Sequence, residues 1–302
     1  MNYLIIGTGG VGGSIAGFLA LAGKDVTCIA RGKHLEAIRR QGLHLKSDLK
    51  GEHFLRVKAC TAEEYQGKAD VILVCVKGYS IDSIRRARAC GYPRHPGHPY
   101  PECVWHGAPH RSSGAFGQGA RRVYLHRGLR VGRRGNQPDG QHLPPGVRCA
   151  SAAAGAPERL ERIAGELREC GIKVDVSDDI NRDTFIKWSF ISAMACTGAY
   201  HDVPMGEVQH EGEVRDTFVG LSRESAQIGE KLGIAYPGDP VAYNLMVIDK
   251  LDPHSTASMQ KDIARGHESE IQGLLFDMID LGTQLHIDMP TYRKVAQKFQ
   301  QA

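Results

Sequence analysis

Hydrophobic positions fall in short unbroken runs over the first quarter of the chain and at helical spacing over the last half, and the stretch between follows neither rule. The opening "MNYLIIGTGGVGGSIAGFLALAGKDVTCIARG" has an apolar run from Tyr3 to Ile6, a glycine turn, a helical stretch rich in Ala and Leu, and a second run from Val26 to Ala30. That order predicts a βαβ unit. A third run within "ADVILVCVK" (Ala69 to Lys77) is apolar without a break from Val71 to Val76, as a parallel strand covered on both faces requires. The first 84 residues therefore read as half of a doubly wound sheet.

Order of a different kind returns at "PERLERIAGELRECGIKVDVSDDI", where Leu160, Ile163 and Leu167 share one face of an amphipathic helix ahead of a strand-like "IKVDV". A buried-looking helix follows in "NRDTFIKWSFISAMACTGAY", then helical patterns around 214–232, 240–251, 258–263 and 268–285. The predicted fold is α/β: an N-terminal Rossmann-type doubly wound sheet over residues 1–176 and an all-α domain over residues 177–302, with residues 86–155 anomalous. That segment has too little apolar periodicity to offset its ordering entropy, so disorder is expected there.

Composition sharpens the anomaly. The net charge is +4. Residues 85–150 carry twelve Arg, no Lys and only Glu102 and Asp139 as acids, so the basic surplus belongs to that segment and the rest of the chain is net acidic. The eight cysteines form no CxxC pair, which argues against a secreted disulfide scaffold. No apolar run reaches the roughly 20 residues of a membrane span, and the glycine-interrupted N-terminus lacks a basic n-region and cleavage site. A cytoplasmic protein is expected, with no membrane partner.

Gly7, Gly9 and Gly12 form GxGxxG between a strand and a helix, so the loop Gly7, Thr8, Gly9, Gly10, Val11, Gly12 is a candidate dinucleotide site. The first glycine permits the turn, the second lets backbone approach a pyrophosphate, and the third packs helix on strand. Arg31 stands at the end of the second strand, where an NAD enzyme carries Asp or Glu, and with Lys33 would pair with a 2′-phosphate. NADPH is thus favoured over NADH, the plain alternative being an exposed surface arginine. Lys77 ends the third strand on the edge where ligands of open sheets bind, or is a solvated strand-end lysine. Lys187 lies among Phe185, Ile186, Trp188, Phe190 and Ile191. An ammonium there has to pair, face a cleft or snorkel, and desolvation would lower its pKa toward proton transfer. Ser258, Asp262 and Glu270 precede or open the last long helix, where capping and surface charge would also account for them.

Together the N-terminal "IIGTGGVGGSIAGFLALAGKDVTCIARGKHLEAIRRQGL", "DVILVCVKGYSI", the helix of Lys187, "SMQKDIARGHESEI" and the "GIAYP" and "HIDMP" turns resemble the ketopantoate reductase (2-dehydropantoate 2-reductase) family. The resemblance implies a Rossmann domain followed by an all-α domain like that of 6-phosphogluconate dehydrogenase, with NADPH and a small 2-keto acid bound in the cleft between them. The implied reaction is reduction of ketopantoate to pantoate for pantothenate and coenzyme A synthesis, without a metal. By position, Lys187 resembles the catalytic lysine that supplies a proton to the ketone oxygen, Glu270 the acid that holds the substrate, Ser258 a substrate-binding hydroxyl, and Lys77 a lysine beside cofactor and substrate. Some members place Asn one and two turns after that lysine. This chain has Ile191 and Ala195 there, which bears on pocket polarity and hence on the exact substrate. A homodimer is compatible with Trp188 and the apolar second half.

The family also expects a strand like "IPxLNxxG" soon after Lys77, and this chain has "GHPYPECVWHGAPH" instead. Read from the second base of each codon, His98 into Pro99 permits Ile, Glu102 into Cys103 permits Asn, and Trp105 into His106 requires Gly, so the shifted reading can be "IPILNVYGTG". The same shift at "LPPGVRC" permits "FRLVFG", a strand ahead of the helix at Glu158. Residues 86–155 therefore read as if frame-shifted, which would leave the literal chain a catalytically impaired relative of the family. A zinc site on His95, His98, Cys103 and His106 and an Arg-rich nucleic-acid insert with Tyr92, Tyr100 and Trp105 are the weaker readings, since neither completes a ligand or recognition pattern. No nucleic-acid partner is expected. The nucleotide sequence across residues 80–160 decides the matter: stop codons in the alternative frame, or no apolar strands there, would sink it.

Overall fold

The computed structural model describes residues 1–77, 80, 102–105, 122–124, 146–149 and 157–300. They divide into two units, the first ending at Ile180 and the second beginning at Asn181.

The first unit is built on β1 (Asn2–Ile6) and β2 (Asp25–Ile29), parallel neighbours joined through helix α1 (Gly10–Leu21). The sheet order is β5-β2-β1-β6-β7-β8, with β5 at Lys58–Cys60, β6 at Val71–Val74, β7 at Glu102–Trp105 and β8 at Arg122–Tyr124, every neighbouring pair parallel. The unbroken apolar runs are explained by what covers each face. Tyr3 and Ile5 point into a core shared with Ile15, Phe18, Ile163 and Leu167, whereas Leu4 and Ile6 pack on the other side with Ile29 and Ile72. Helix α2 (Gly32–Gln41) follows β2. An antiparallel hairpin of β3 (Leu43–Ser47) and β4 (Gly51–Leu55) lies beyond it. Helix α3 (Pro157–Glu169) buries Leu160, Ile163 and Leu167, as its spacing predicts, and leads to β10 (Lys173–Val176), which pairs in parallel with β9 (Gly146–Cys149).

Residues 85–156 read as lacking strand periodicity, and at β7, β8 and β9 the backbone departs from that expectation. A strand's ladder is made by main-chain groups, so β6 can extend the sheet through β7 whatever side chains β7 carries. The strands at 102–105 and 146–149 are made by the backbone of the sequence as it stands and bear on neither reading frame. The frame-shift, zinc, nucleic-acid and disorder readings otherwise concern side chains and segments outside the described residues.

The second unit is helical: α4 (Ile180–His201), α5 (Met205–Val208), α6 (Glu213–Lys231), α7 (Pro240–Ile248), α8 (Ser258–Ala264), a π-helical turn at Gln272–Phe276 running into α9 (Asp277–Gln284), and α10 (Pro290–Gln300). Asp239 caps α7 by accepting from the backbone N–H groups of Val241 and Ala242. Buried Glu224 accepts from the N–H groups of Thr291 and Tyr292 at 2.7 and 3.0 Å, placing a carboxylate at the positive end of α10 and tying it to α6.

One charged cluster fastens α3 to the sheet. The Tyr3 hydroxyl donates to Glu166 at 2.9 Å, with Lys24 at 3.3 Å and the N-terminal ammonium at 3.7 Å. Partial burial pushes the Glu166 carboxyl up, but the Tyr3 hydrogen bond and the two cations outweigh it and hold it below its ordinary value. A carboxyl depressed in the native state stabilises above its unfolded pKa and loses that contribution as pH falls through the native value. Acid unfolding of Glu166→Gln should therefore show a shallower loss of stability than the parent below about pH 4.5, followed by chemical denaturation at stepped pH. Parallel curves would refute the role.

Candidate active site

The glycine loop separates what the fold demands from what it leaves open. Gly7 has φ +89°, in the left-handed region, and a Cβ there would stand 2.6 Å from Val76. At Gly12 a Cβ would meet the Gly7 carbonyl oxygen at 2.1 Å and the Cys75 Cβ at 2.9 Å. Both positions are closed by the packing of α1 on β1 and the end of β6. Gly9 and Gly10 differ, because a Cβ on either would have no neighbour within 4 Å. Their backbone faces open space at the N-terminus of α1, where unpaired N–H groups and the helix dipole suit a phosphate. Thr8 is buried at 4% exposure, and its hydroxyl has no hydrogen-bond partner among the described residues. A buried hydroxyl without a partner beside an open glycine backbone fits a polar ligand seated on this loop.

Three further features frame the loop. His34, on α2, donates from Nε2 to the Thr8 carbonyl at 2.8 Å and so couples the start of α2 to the loop. Arg31 is the exposed, extended residue immediately before α2, with Lys33 exposed beside it, at the tip of β2. Val11 is half-buried in the first turn of α1. On the far side, the Cys75 N–H extends the β6 ladder to the Ile6 carbonyl at 2.7 Å, which leaves half-buried Lys77 just past the strand's carboxyl end. Burial pushes the Cys75 thiol far up, so this sulfur acts as packing between the loop and β6.

In the second unit Lys187 is half-buried on α4 between buried Phe185 and Trp188. The Trp188 indole N–H donates to the Gly273 carbonyl at 2.9 Å. The Ser192 hydroxyl donates to the Leu274 carbonyl, shares a 2.7 Å hydrogen bond with Tyr292, and lies a turn from Cys196, whose thiol donates to the same Leu274 carbonyl at 3.6 Å. These carbonyls belong to the π-helical turn, which begins two residues after half-buried Glu270, and the Glu270 carbonyl accepts from the Leu274 N–H at 2.9 Å. Side chains of α4 thus clamp the turn that presents Glu270, bringing the segments of Lys187 and Glu270 together. Ser258 is exposed as the first residue of α8. Its helix docks further along α4, where Gln260 fills the space above Gly198 and donates to the Val203 carbonyl at 2.9 Å.

Trp188 is 5% exposed and committed to the core, so it offers no surface to a second copy. Ala195, one of the two positions where the resemblance departs, is also core at 1%. The π-helical turn and His34 escape a reading of the sequence. A single widened turn shifts the helical phase once and makes no repeating pattern, and a histidine near a glycine loop has no pattern of its own. Among the described residues no group of three His, Cys, Asp or Glu is placed to hold a metal, and no helix is long and apolar enough to cross a membrane.

Comparison with known proteins agrees with this architecture. The family model Ketopantoate reductase PanE/ApbA matches residues 3–90, and its companion, Ketopantoate reductase PanE/ApbA C terminal, matches residues 179–302. The chain is 28% identical over 316 residues to 2-dehydropantoate 2-reductase of Mesorhizobium japonicum, covering 96% of this chain and 94% of the relative. Its fold is that of PanE/ApbA family ketopantoate reductase from Ralstonia eutropha JMP134, at 22% identity and a TM-score of 0.82 over 98% of this chain and 96% of the other. The ternary structure of D-mandelate dehydrogenase with NADH and anilino(oxo)acetate is alike in fold at 16% identity, with a TM-score of 0.82 and the same coverage. The chain belongs to the ketopantoate reductase family.

The clamp on the π-helical turn is open to test. Trp188→Phe keeps the aromatic packing but leaves the Gly273 carbonyl without its donor, which should cost about 1–3 kcal/mol in denaturant unfolding. Undiminished stability would mean the hydrogen bond is not needed to hold the turn.

Proposed function

We propose that this protein reduces a branched 2-keto acid to the corresponding 2-hydroxy acid with NADPH, ketopantoate to pantoate being the family's own case. Residues 1–176 form the cofactor domain and residues 177–302 the substrate domain. The observation that carries the reading is the glycine loop, closed at Gly7 and Gly12 by the fold yet open at Gly9 and Gly10 above a buried, partnerless Thr8 hydroxyl. NADPH bound there would supply a hydride to the keto carbon.

The chain's own residues account for the remainder. Backbone N–H groups at the start of α1 would hold the pyrophosphate. The fold is shared with D-mandelate dehydrogenase, which holds NADH, so the choice of nucleotide rests on side chains. Arg31 and Lys33 at the tip of β2 present cations where a 2′-phosphate would lie, which favours NADPH. Lys77, just past the strand's carboxyl end, would lie beside cofactor and substrate. Lys187 would donate its proton to the ketone oxygen as negative charge develops there, while Glu270 and Ser258 hold the acid. In pantothenate and coenzyme A synthesis such an enzyme would act in the cytoplasm.

Purified full-length protein given NADPH and ketopantoate should oxidise the nucleotide, read at its nicotinamide absorbance. Lys187→Ala should cut kcat by roughly 10²-fold or more while leaving NADPH binding intact, the scale of a lost general acid. Arg31→Ala should erase most of the preference for NADPH over NADH. Turnover unchanged by Lys187→Ala would refute the proton-donor role, and a nucleotide preference unchanged by Arg31→Ala would refute that assignment.

A further inference from the structure

Packing fixes the two ends of the glycine loop and leaves its middle free. Gly7 and Gly12 are locked against Val76 and Cys75, but between them a Cβ on Gly9 or Gly10 would meet nothing within 4 Å. Glycine in open space adopts many backbone conformations, so the N–H groups here keep one direction only if a group outside the loop sets it. His34 is placed to do so. A carbonyl only accepts, so the imidazole Nε2 carries the proton in its 2.8 Å contact with the Thr8 carbonyl, and that bond stands whether the ring is neutral or charged.

A trans peptide is planar, with its carbonyl and N–H pointing opposite ways. Holding the Thr8 carbonyl toward α2 therefore turns the Gly9 N–H away from α2 and sets the plane in which the chain enters α1. Gly9 is the extended residue just before that helix, and its carbonyl accepts the first internal bond, from the Gly13 N–H at 2.7 Å. The N–H groups ahead of Gly13 are the ones a helix leaves unpaired. The Thr8 hydroxyl, 4% exposed and without a partner among the described residues, belongs to the residue that His34 anchors. Resting on the reading that a dinucleotide seats its pyrophosphate on this loop, we infer that His34 is a positioning residue for that pyrophosphate. It holds the Thr8–Gly9 peptide in the anion-binding orientation and does not touch the nucleotide. Its role is separate from that of Arg31, three residues earlier, because the pyrophosphate is common to NADPH and NADH whereas the 2′-phosphate is not. His34 is itself exposed on the first turn of α2, so truncating it removes no core packing.

Titrating the full-length protein with NADPH and with NADH, followed by nicotinamide fluorescence, tests this. His34→Ala should raise both dissociation constants by the same factor, about tenfold, the scale of one misdirected hydrogen bond to a charged group. His34→Gln, whose amide nitrogen reaches as far as Nε2 and donates in the same place, should restore both affinities. In the nucleotide-free protein the Gly9 and Gly10 amides should exchange with solvent faster in His34→Ala than in the parent, and at the parent's rate in His34→Gln. A loss confined to NADPH would make His34 a ligand of the 2′-phosphate and overturn the inference. Affinities indifferent to His34→Ala, or a loss that His34→Gln does not repair, would overturn it too. A parent that binds neither nucleotide overturns the cofactor reading beneath it.

Discussion

The second unit depends on one constraint: α4 must run through an apolar core and still satisfy the polar groups it carries. It does so by donating outward to carbonyls that a regular helix would have used internally. In an i to i+5 turn the hydrogen bonds are rearranged, and the Gly273 and Leu274 carbonyls accept from Trp188, Ser192 and Cys196. The π-helical turn is thus held by α4, and α4 is held by it. Glu270 stands two residues before the turn and is tied to it through its carbonyl, which accepts from the Leu274 N–H at 2.9 Å. The polar groups of this core specify the register between the two helices, a job that hydrocarbon packing does less sharply.

A comparable economy governs the first unit. Two glycines of the loop are required by contacts that any dinucleotide fold would make between α1 and its sheet, and a side chain at either would strike backbone or Cys75. The other two are unconstrained by the protein itself. Glycine costs backbone entropy in the unfolded chain, so its presence where nothing crowds it points to something outside the protein that needs the space. Thr8 makes the same point from another direction, since burying a hydroxyl without a partner is unfavourable unless a ligand supplies one.

Patterns that arise from burial were legible in the sequence. The runs at Tyr3 to Ile6 and Val71 to Val76 are continuous because both sheet faces are covered, and the Leu160, Ile163, Leu167 stripe is the buried face of α3. Elements whose stability comes from neighbours were not. The β3–β4 hairpin alternates buried and exposed positions over only five residues per strand, α2 carries just Leu35 and Ile38 as core, and α5 is four residues long. The second unit begins at Asn181, four residues past the boundary near Ser177 that the change of pattern suggested. Of the site, residue types and their rough order were visible. What could not be read was which of Ile191 and Ala195 faces outward, because helical phase alone leaves both near the edge of the lysine's face, and packing sends Ala195 into the core.

The segment after Lys77 shows how far backbone can act without side-chain pattern. β7 pairs with β6 from Val71 opposite Glu102 to Val74 opposite Trp105, and β8 then pairs with β7, so the parallel order of the sheet continues through residues with no strand periodicity. A parallel neighbour offers a ladder of donors and acceptors that any extended non-proline stretch can meet. Side-chain alternation is needed for the layers above and below the sheet. The sheet's order therefore continues through 102–105 on main-chain pairing alone. The ladder needs only main-chain groups, so the question of fold is separate from the question of which codons were read.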